Sequence, residues 1–204
     1  MLSTREELLK KLQLGEDGLL ELKEVRFAAK VLRGPTQDVI ADEMAAFANS
    51  SGGVLLLGVN DRREVIGIPK DLLDVLEGVV RQACLQSVQP PLDPLIEKIT
   101  LPDIDSQECP VLRIEVFPSI FVHRSPGGYL HRVGSAKQQM QPDQLARLFE
   151  QRSQSRLIRF DETPVIQAPM SVLEESLWRR FASPRGADSD PVFLQKMALA
   201  AKDR

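Results

Sequence analysis

Hydrophobic positions recur along the chain with a helical period in some stretches, and alternate or run continuously in others. Helical spacing marks four stretches, which are residues 4–14, 37–49, 70–87 and 142–153. Strand patterns mark further stretches, which are residues 19–25, 54–59, 65–68, 95–100, 111–117 and a hairpin that joins 121–124 to 129–133. Helices interleaved with short strands predict an α+β domain with a mixed or antiparallel sheet and flanking helices.

The pattern changes after residue 153, where proline recurs at Pro164, Pro169, Pro184 and Pro191. Two short helices are predicted in this part of the chain, over residues 172–182 and 192–201. We therefore expect residues 1–153 to form one domain. Residues 154–204 are expected to form a helical extension that leads into a further region of a longer protein.

The composition is that of a soluble globular protein, with 43% hydrophobic and 27% charged residues. The net charge of −3 argues against nucleic-acid binding by the whole surface, so such binding would need a local basic face. Cys84 and Cys109 form no CxxC pair, which argues against a zinc site. The chain shows neither a signal-peptide pattern nor an apolar run of membrane-spanning length, so we expect a cytoplasmic protein without a membrane partner.

Three acidic residues are candidates for chemistry. Glu16 and Glu21 lie around the start of the first predicted strand, and Asp61 follows the buried strand 54–59. If these strands are neighbours, the three carboxylates converge into an oxygen site suited to Mg²⁺ or Mn²⁺, which supports phosphodiester hydrolysis. The alternative is that all three are solvated surface acids.

Basic and aromatic residues suggest a second kind of site. The candidates for nucleic-acid contact are Lys23 on the first strand and six residues of the late hairpin region, His123, Arg124, Tyr129, His131, Arg132 and Lys137. Alternation along the hairpin would place several of them on one face, where they offer phosphate contacts and a stacking surface. The alternative is an exposed hairpin with a solvated face. Further positive charge near the first strand comes from Lys10, Lys11, Arg26, Lys30 and Arg33.

Several motifs together resemble the Schlafen/AlbA-like domain over roughly residues 10–150. They are Gly15-Glu16, Leu20-Glu21-Leu22-Lys23, the run AFANSSGGVLLLGVND from Ala46 to Asp61, Val65-Ile66-Gly67, and YLHRVGS from Tyr129 to Ser135. The run that ends at Asp61 is the most specific of them.

The resemblance implies a DNA-binding module of a transcriptional regulator. Bacterial domains of this kind commonly head longer chains with a divergent ATPase-like, ATP-binding region and a winged helix. Related domains in eukaryotic Schlafen proteins are metal-dependent endoribonucleases acting on tRNA-like RNA, and Glu16, Glu21 and Asp61 match their acidic triad. That nuclease uses two lobes, so a homodimer of this chain would supply the second.

Three hypotheses follow for function. The leading one is a nucleic-acid-binding module, with DNA or RNA as partner, in a transcriptional regulator. The second is a metal-dependent endoribonuclease that uses Glu16, Glu21 and Asp61. The third is a dimerisation or interaction module of a divergent ATPase-like regulator.

Overall fold

The computed structural model describes residues 5–157, with side-chain exposure described for residues 5–153. Contacts divide the chain between Arg152 and Ser153. The two helices predicted over 172–182 and 192–201 lie outside the described residues, and the predicted extension 154–204 therefore stays a prediction.

Four α-helices cover much of the described part of the chain. They are α1 (Arg5–Leu14), α2 (Gln37–Asn49), α3 (Leu73–Gln82) and α4 (Pro142–Leu157). Helix α2 begins after Thr36, whose side-chain hydroxyl accepts a hydrogen bond from the backbone N–H of Val39. The single helix predicted over 70–87 is divided, because a 3₁₀ turn (Lys70–Leu72) precedes α3 and a π turn (Ala83–Ser87) follows it.

Eight strands form three sheets. The strands are β1 (Leu20–Lys23), β2 (Arg26–Ala28), β3 (Val31–Gly34), β4 (Gly53–Leu57), β5 (Leu95–Pro102), β6 (Glu108–Val116), β7 (Leu130–Val133) and β8 (Ala136–Gln139). The main sheet has the order β1-β4-β6-β5, with β1 parallel to β4 and the other neighbours antiparallel. This mixed sheet with flanking helices confirms the predicted α+β class. The hairpins β2–β3 and β7–β8 form separate two-stranded sheets.

The main sheet has a hydrophobic core on each face. One core joins α2 and α3 to the sheet, and the other joins α1 to it. Because side chains alternate along a strand, Leu20 and Leu22 of β1 face α1, whereas Glu21 and Lys23 face the α2 side. The edge strand β1 therefore presents two charged residues towards a buried helix, and these residues are the basis of the candidate site.

A glycine permits the close approach of α2 to β4. A Cβ atom built on Gly53 would lie 2.3 Å from the ring of Phe47, which is fully buried. Only a residue without a side chain fits there, so close packing requires glycine at this position.

The predicted late hairpin is wrong in its pairing. Its turn is present, since Ser125 and Gly128 exchange two backbone hydrogen bonds. Strand β7, however, pairs with β8, in the register Arg132 to Lys137, and residues 121–124 do not pair with it. Arg124 instead forms an isolated bridge with Gln89. The return strand predicted over 65–68 is reduced to a single bridge, which joins Val65 to Val59.

The hairpin β2–β3 was not predicted, and its turn explains why. Ala29 and Lys30 occupy the two central turn positions with φ of 47° and 66°. Successive positive φ values define the type I′ hairpin turn, which Asn-Gly usually fills. With Ala and Lys at these positions, the sequence lacks the usual signal of a hairpin.

Candidate functional site

A buried arginine joins three parts of the fold. The Arg132 side chain is 2% exposed and donates through Nη1 to Glu21 Oε2 at 2.7 Å and to Glu43 Oε2 at 3.1 Å. Its Nη2 donates to the carbonyls of Asp17 (2.9 Å) and Ser135 (3.0 Å). One guanidinium thus connects β7 with β1 and α2, and it also holds the loop before β1.

Two lysines complete the charge balance around the same glutamates. Lys23 forms an ion pair with Glu21 and lies 3.8 Å from Glu43, while Lys137 donates to Glu43 Oε1 at 2.9 Å. The ion-pair cluster therefore consists of Glu21, Lys23, Glu43, Arg132 and Lys137. Both oxygens of each carboxylate are engaged by cations.

The two lysines differ from the arginine in their access to solvent. The Lys23 and Lys137 side chains remain 29% and 25% exposed, while those of Glu21 and Glu43 are nearly buried. Burial alone would lower the pKa of Lys23, but its hydrogen bond to Glu21 and the charges of nearby glutamates, Glu16 among them, outweigh burial and raise that pKa. Lys23 is thus held in its charged form, and both lysines close the cluster at the surface.

An aromatic ring covers the arginine from the α2 side. The guanidinium carbon of Arg132 lies 4.7 Å from the centroid of the Phe47 ring. Its Nε is buried without a hydrogen-bond partner among the described residues. A cation over an aromatic face is attracted by the ring quadrupole, so Phe47 adds to the stabilisation of this buried charge.

The three predicted acidic residues lie in different surroundings. Glu16 is exposed, and its Oε1 accepts the backbone N–H of Leu22 at 3.0 Å, which covers part of the free edge of β1. Glu21 is buried in the ion-pair cluster, and Asp61 is exposed in the turn after β4. Within residues 5–157, no group of three or more His, Cys, Asp or Glu side chains is arranged to hold a metal ion. In this arrangement Glu16, Glu21 and Asp61 do not form a site that fits Mg²⁺ or Mn²⁺.

His123 lies in the interior rather than on a binding face. It is 1% exposed, with Nδ1 2.7 Å from the carbonyl oxygen of Pro90 and Nε2 2.7 Å from the hydroxyl of Ser119. Its backbone N–H donates to Asn49 Oδ1, and its carbonyl accepts from Asn49 Nδ2. The ring is therefore held by the protein and is not presented to a ligand.

Three of the seven predicted nucleic-acid contacts lie at the surface outside the cluster. Arg124 is exposed, and Tyr129 and His131 are partly exposed. The Tyr129 ring packs edge-on against Phe149 of α4, with 5.9 Å between centroids. His131 points away from α2, because it alternates along β7 with the buried Arg132. These three residues are the predicted contacts that keep access to solvent without belonging to the ion-pair cluster.

Sequence reasoning missed Glu43, which is 3% exposed. A signal was present, because Glu43 lies three residues after Ile40 and four before Phe47, on the apolar stripe of α2. A charged residue on a buried stripe requires a partner, and its partners are Arg132 and Lys137.

The buried imidazole predicts a pH-dependent stability. Desolvation lowers the pKa of His123 despite the hydrogen bond to Pro90, so folding keeps this ring neutral while the unfolded chain takes up a proton. The stability that it contributes is fully present above about pH 6.5, the usual histidine pKa, and is lost as pH falls through the lower folded pKa. We expect the urea midpoint to fall between pH 7.5 and 5.5 and to fall less in His123→Asn. An equal slope in both proteins would contradict this assignment.

The fold is an α+β domain with a mixed sheet between two helical layers. The buried ion-pair cluster joins the β7–β8 hairpin to the edge strand β1. The family model described as Schlafen, AlbA_2 matches residues 16–141, which is more than half of the chain. The chain belongs to the Schlafen AlbA_2 family, and all five residues of the cluster lie within the matched range. Membership of this family is consistent with a nucleic-acid-binding module.

A solved structure also resembles the chain. It is the crystal structure of the DIP2311 protein from Corynebacterium diphtheriae, at 20% identity and a TM-score of 0.47. The match covers 94% of this chain and 40% of that protein, so the chain spans less than half of that solved protein. No described helix is long and apolar enough to cross a membrane.

Proposed function

We propose that the chain is a nucleic-acid-binding module, with duplex DNA as its partner and transcriptional regulation as its role. The observation that carries the proposal is the family match over residues 16–141. Arg124, which is exposed, and Tyr129 and His131, which are partly exposed, support it, since they offer solvent one phosphate contact and two rings.

The ion-pair cluster has a supporting role in this proposal. Lys23, Arg132 and Lys137 face Glu21 and Glu43, with Glu16 near Lys23, so three positive charges meet three negative ones. A neutralised cluster contributes little long-range attraction for phosphate. We infer that it fixes the β7–β8 ribbon against β1 and α2, and that residues outside the cluster contact the nucleic acid.

Binding is expected to be electrostatic and dependent on salt. Fluorescence anisotropy with a labelled DNA duplex should show binding at micromolar protein in 50 mM salt. As salt is added, log affinity should fall against log salt concentration with a slope of about 0.9 per phosphate contact. Because one such contact corresponds to about eightfold in affinity at 0.1 M salt, Arg124→Ala should bind roughly eightfold more weakly. Absence of binding at 50 mM salt would contradict the proposal.

The nuclease alternative is tested with the same protein. For Glu21 to serve as a metal ligand, its carboxylate would have to release Arg132 and Lys23. We therefore expect structured RNA to remain intact in the presence of Mn²⁺ or Mg²⁺. Cleavage that disappears in Asp61→Ala but persists in Glu24→Ala, both of which change exposed acidic residues outside the ion-pair cluster, would establish the nuclease in place of simple binding.

We further propose that the module acts as a homodimer within an ATPase-like regulator. Two copies would give two contact surfaces for one duplex, and a longer site would be bound more tightly. Sedimentation of the full chain with and without duplex measures this directly. A dimer that leaves nucleic acid unbound would favour an interaction module instead.

A further inference from the structure

The hairpin β2–β3 is a locally basic element in an acidic chain. Residues 26–34 (RFAAKVLRG) contain three cations and no acidic residue, while the whole chain has a net charge of −3. The side chains of Arg26 and Lys30 are 75% and 78% exposed, and Arg33 is exposed as well. This is the kind of local basic face that an acidic protein needs in order to bind nucleic acid.

The acidic neighbours of these cations hold them only weakly. Arg26 lies 4.0 Å from Glu24, and Lys30 lies 3.6 Å from Asp71. Both pairs are solvent-exposed, and such surface pairs contribute little because water and salt screen them. A polyanion can therefore replace these carboxylates without leaving a buried charge unpaired.

One face of the hairpin is anchored and the other is open. Phe27 and Leu32 are paired across the two strands and pack against the core beneath α2 and α3. The cross-strand pair Ala28 and Val31 points the other way, and Val31 is 56% exposed. The small side chain of Ala28 permits close approach to a groove, and an exposed valine suits contact with a thymine methyl group.

The backbone of the hairpin is strained at its tip, where Lys30 places a positive charge. Lys30 has a φ of 66° at the second central turn position, at which glycine is usual. Backbone strain of this kind concentrates at functional sites, because selection for folding alone would remove it. A lysine at the tip places a charge at the outermost point of the ribbon.

We propose that the hairpin β2–β3 is a DNA-contacting arm that lies in the major groove of B-form duplex DNA. The inference rests on the proposed nucleic-acid-binding function and names the surface and the form of its partner. The B-form major groove, about 12 Å wide, admits a two-stranded β-ribbon. The major groove of A-form RNA is deep and narrow and does not admit side chains for reading.

The test compares three variants of the full chain by anisotropy over a range of salt concentrations. Arg26→Ala/Arg33→Ala should bind DNA roughly 60-fold more weakly at 0.1 M salt, with the slope of log affinity against log salt reduced by about 1.8, since each phosphate contact contributes about 0.9. Lys10→Ala is the matched control, because it removes an exposed cation from α1 on the opposite face of the sheet, and it should bind as the parent does.

Lys30→Gly separates binding from folding. Glycine relieves the positive φ at the tip, so Tm should rise by about 2–4 °C while DNA affinity falls roughly eightfold. A variant that is more stable and binds less cannot owe its weaker binding to misfolding.

Each other outcome has a distinct meaning. If the parent chain binds no nucleic acid, the proposed function and the arm both fail. If the parent binds DNA but the arginine and lysine variants keep its affinity and salt slope, the arm alone is wrong. Equal or tighter binding of an A-form RNA duplex would overturn the placement in a B-form major groove.

Discussion

Replacing Arg132 with alanine should lower the free energy of unfolding by about 3 kcal/mol, the lower end of the range for breaking a buried ion pair. The loss arises because Glu21 and Glu43 stay buried while their shared partner disappears. Lys23 and Lys137 remain beside the glutamates and keep the loss from being larger. For a chain of this size, Tm should fall by roughly 6–12 °C in calorimetry or thermal circular dichroism.

Two controls make the Arg132 result specific. Arg124→Ala removes an exposed arginine eight residues earlier and should change stability by no more than about 0.5 kcal/mol. Arg132→Lys keeps the positive charge, but a single ammonium lacks the planar fork that reaches Glu21, Glu43 and the Asp17 carbonyl together, so it should restore only part of the loss. An Arg132→Ala protein as stable as the parent would show that the ion-pair cluster does not stabilise the fold.

Replacing Asn49 with aspartate should lower the free energy of unfolding about as much as the loss of Arg132 does. Asparagine and aspartate have the same shape, so the loss would come from the change of charge and of hydrogen bonding. The Asn49 amide donates to the carbonyls of His123 (2.7 Å) and Leu130 (2.9 Å), and its oxygen accepts from the His123 N–H. A carboxylate keeps the acceptor but turns both donors into a negative charge facing two buried carbonyl oxygens. We expect a loss of about 3 kcal/mol, since each buried group left without a partner costs about 1–3 kcal/mol.

Asn60→Asp is the matched control for this substitution. In the turn after β4, Asn60 Oδ1 accepts from the backbone N–H groups of Arg62 and Glu64, and a carboxylate can accept both. The hydrogen bond from Asn60 Nδ2 to Glu64 Oε2 (2.8 Å) is lost, but both side chains are partly exposed, so water and salt screen the two negative charges. The same chemical change should therefore cost much less at position 60. If urea unfolding gave equal losses for the two substitutions, the explanation from the buried amide of Asn49 would be wrong.

The sequence predicted the parts of the fold that local periodicity determines. Helix α2 matches its predicted range of 37–49, and strand β4 (Gly53–Leu57) falls on the apolar run 54–59. The motif from Ala46 to Asp61 predicted the family. Phe47 packs closely against Gly53 at the start of the apolar strand, so these residues depend on one another and form a specific pattern.

The pairing of the ribbon could not be predicted, because a distant residue determines it. Alternation in residues 121–133 is compatible with either partner for β7. Asn49, which lies 74 residues before His123 and 81 before Leu130, holds both carbonyls with one amide. These two hydrogen bonds fix residues 121–124 and β7 at the end of α2 and leave β7 to pair with β8.

The contacts among the candidate site residues could not be predicted for a related reason. Arg132 follows a histidine and precedes a valine, so its local pattern is that of an ordinary strand residue. Its partners Glu21 and Glu43 lie 111 and 89 residues away, and nothing local marks them as neighbours. The structure shows that Glu21, predicted for metal binding, and Arg132, predicted for phosphate contact, form an ion pair with each other.

We propose above all that this domain binds nucleic acid through cations outside the buried ion-pair cluster. The most direct test is a two-dimensional ¹H–¹⁵N NMR titration of the full chain with a short DNA duplex at 50 mM salt. We expect the amide signals of residues 26–34 and of Arg124, Tyr129 and His131 to shift, and the shifts to reverse when salt is added. If no amide signal in residues 5–157 moves at saturating duplex, the claim is contradicted.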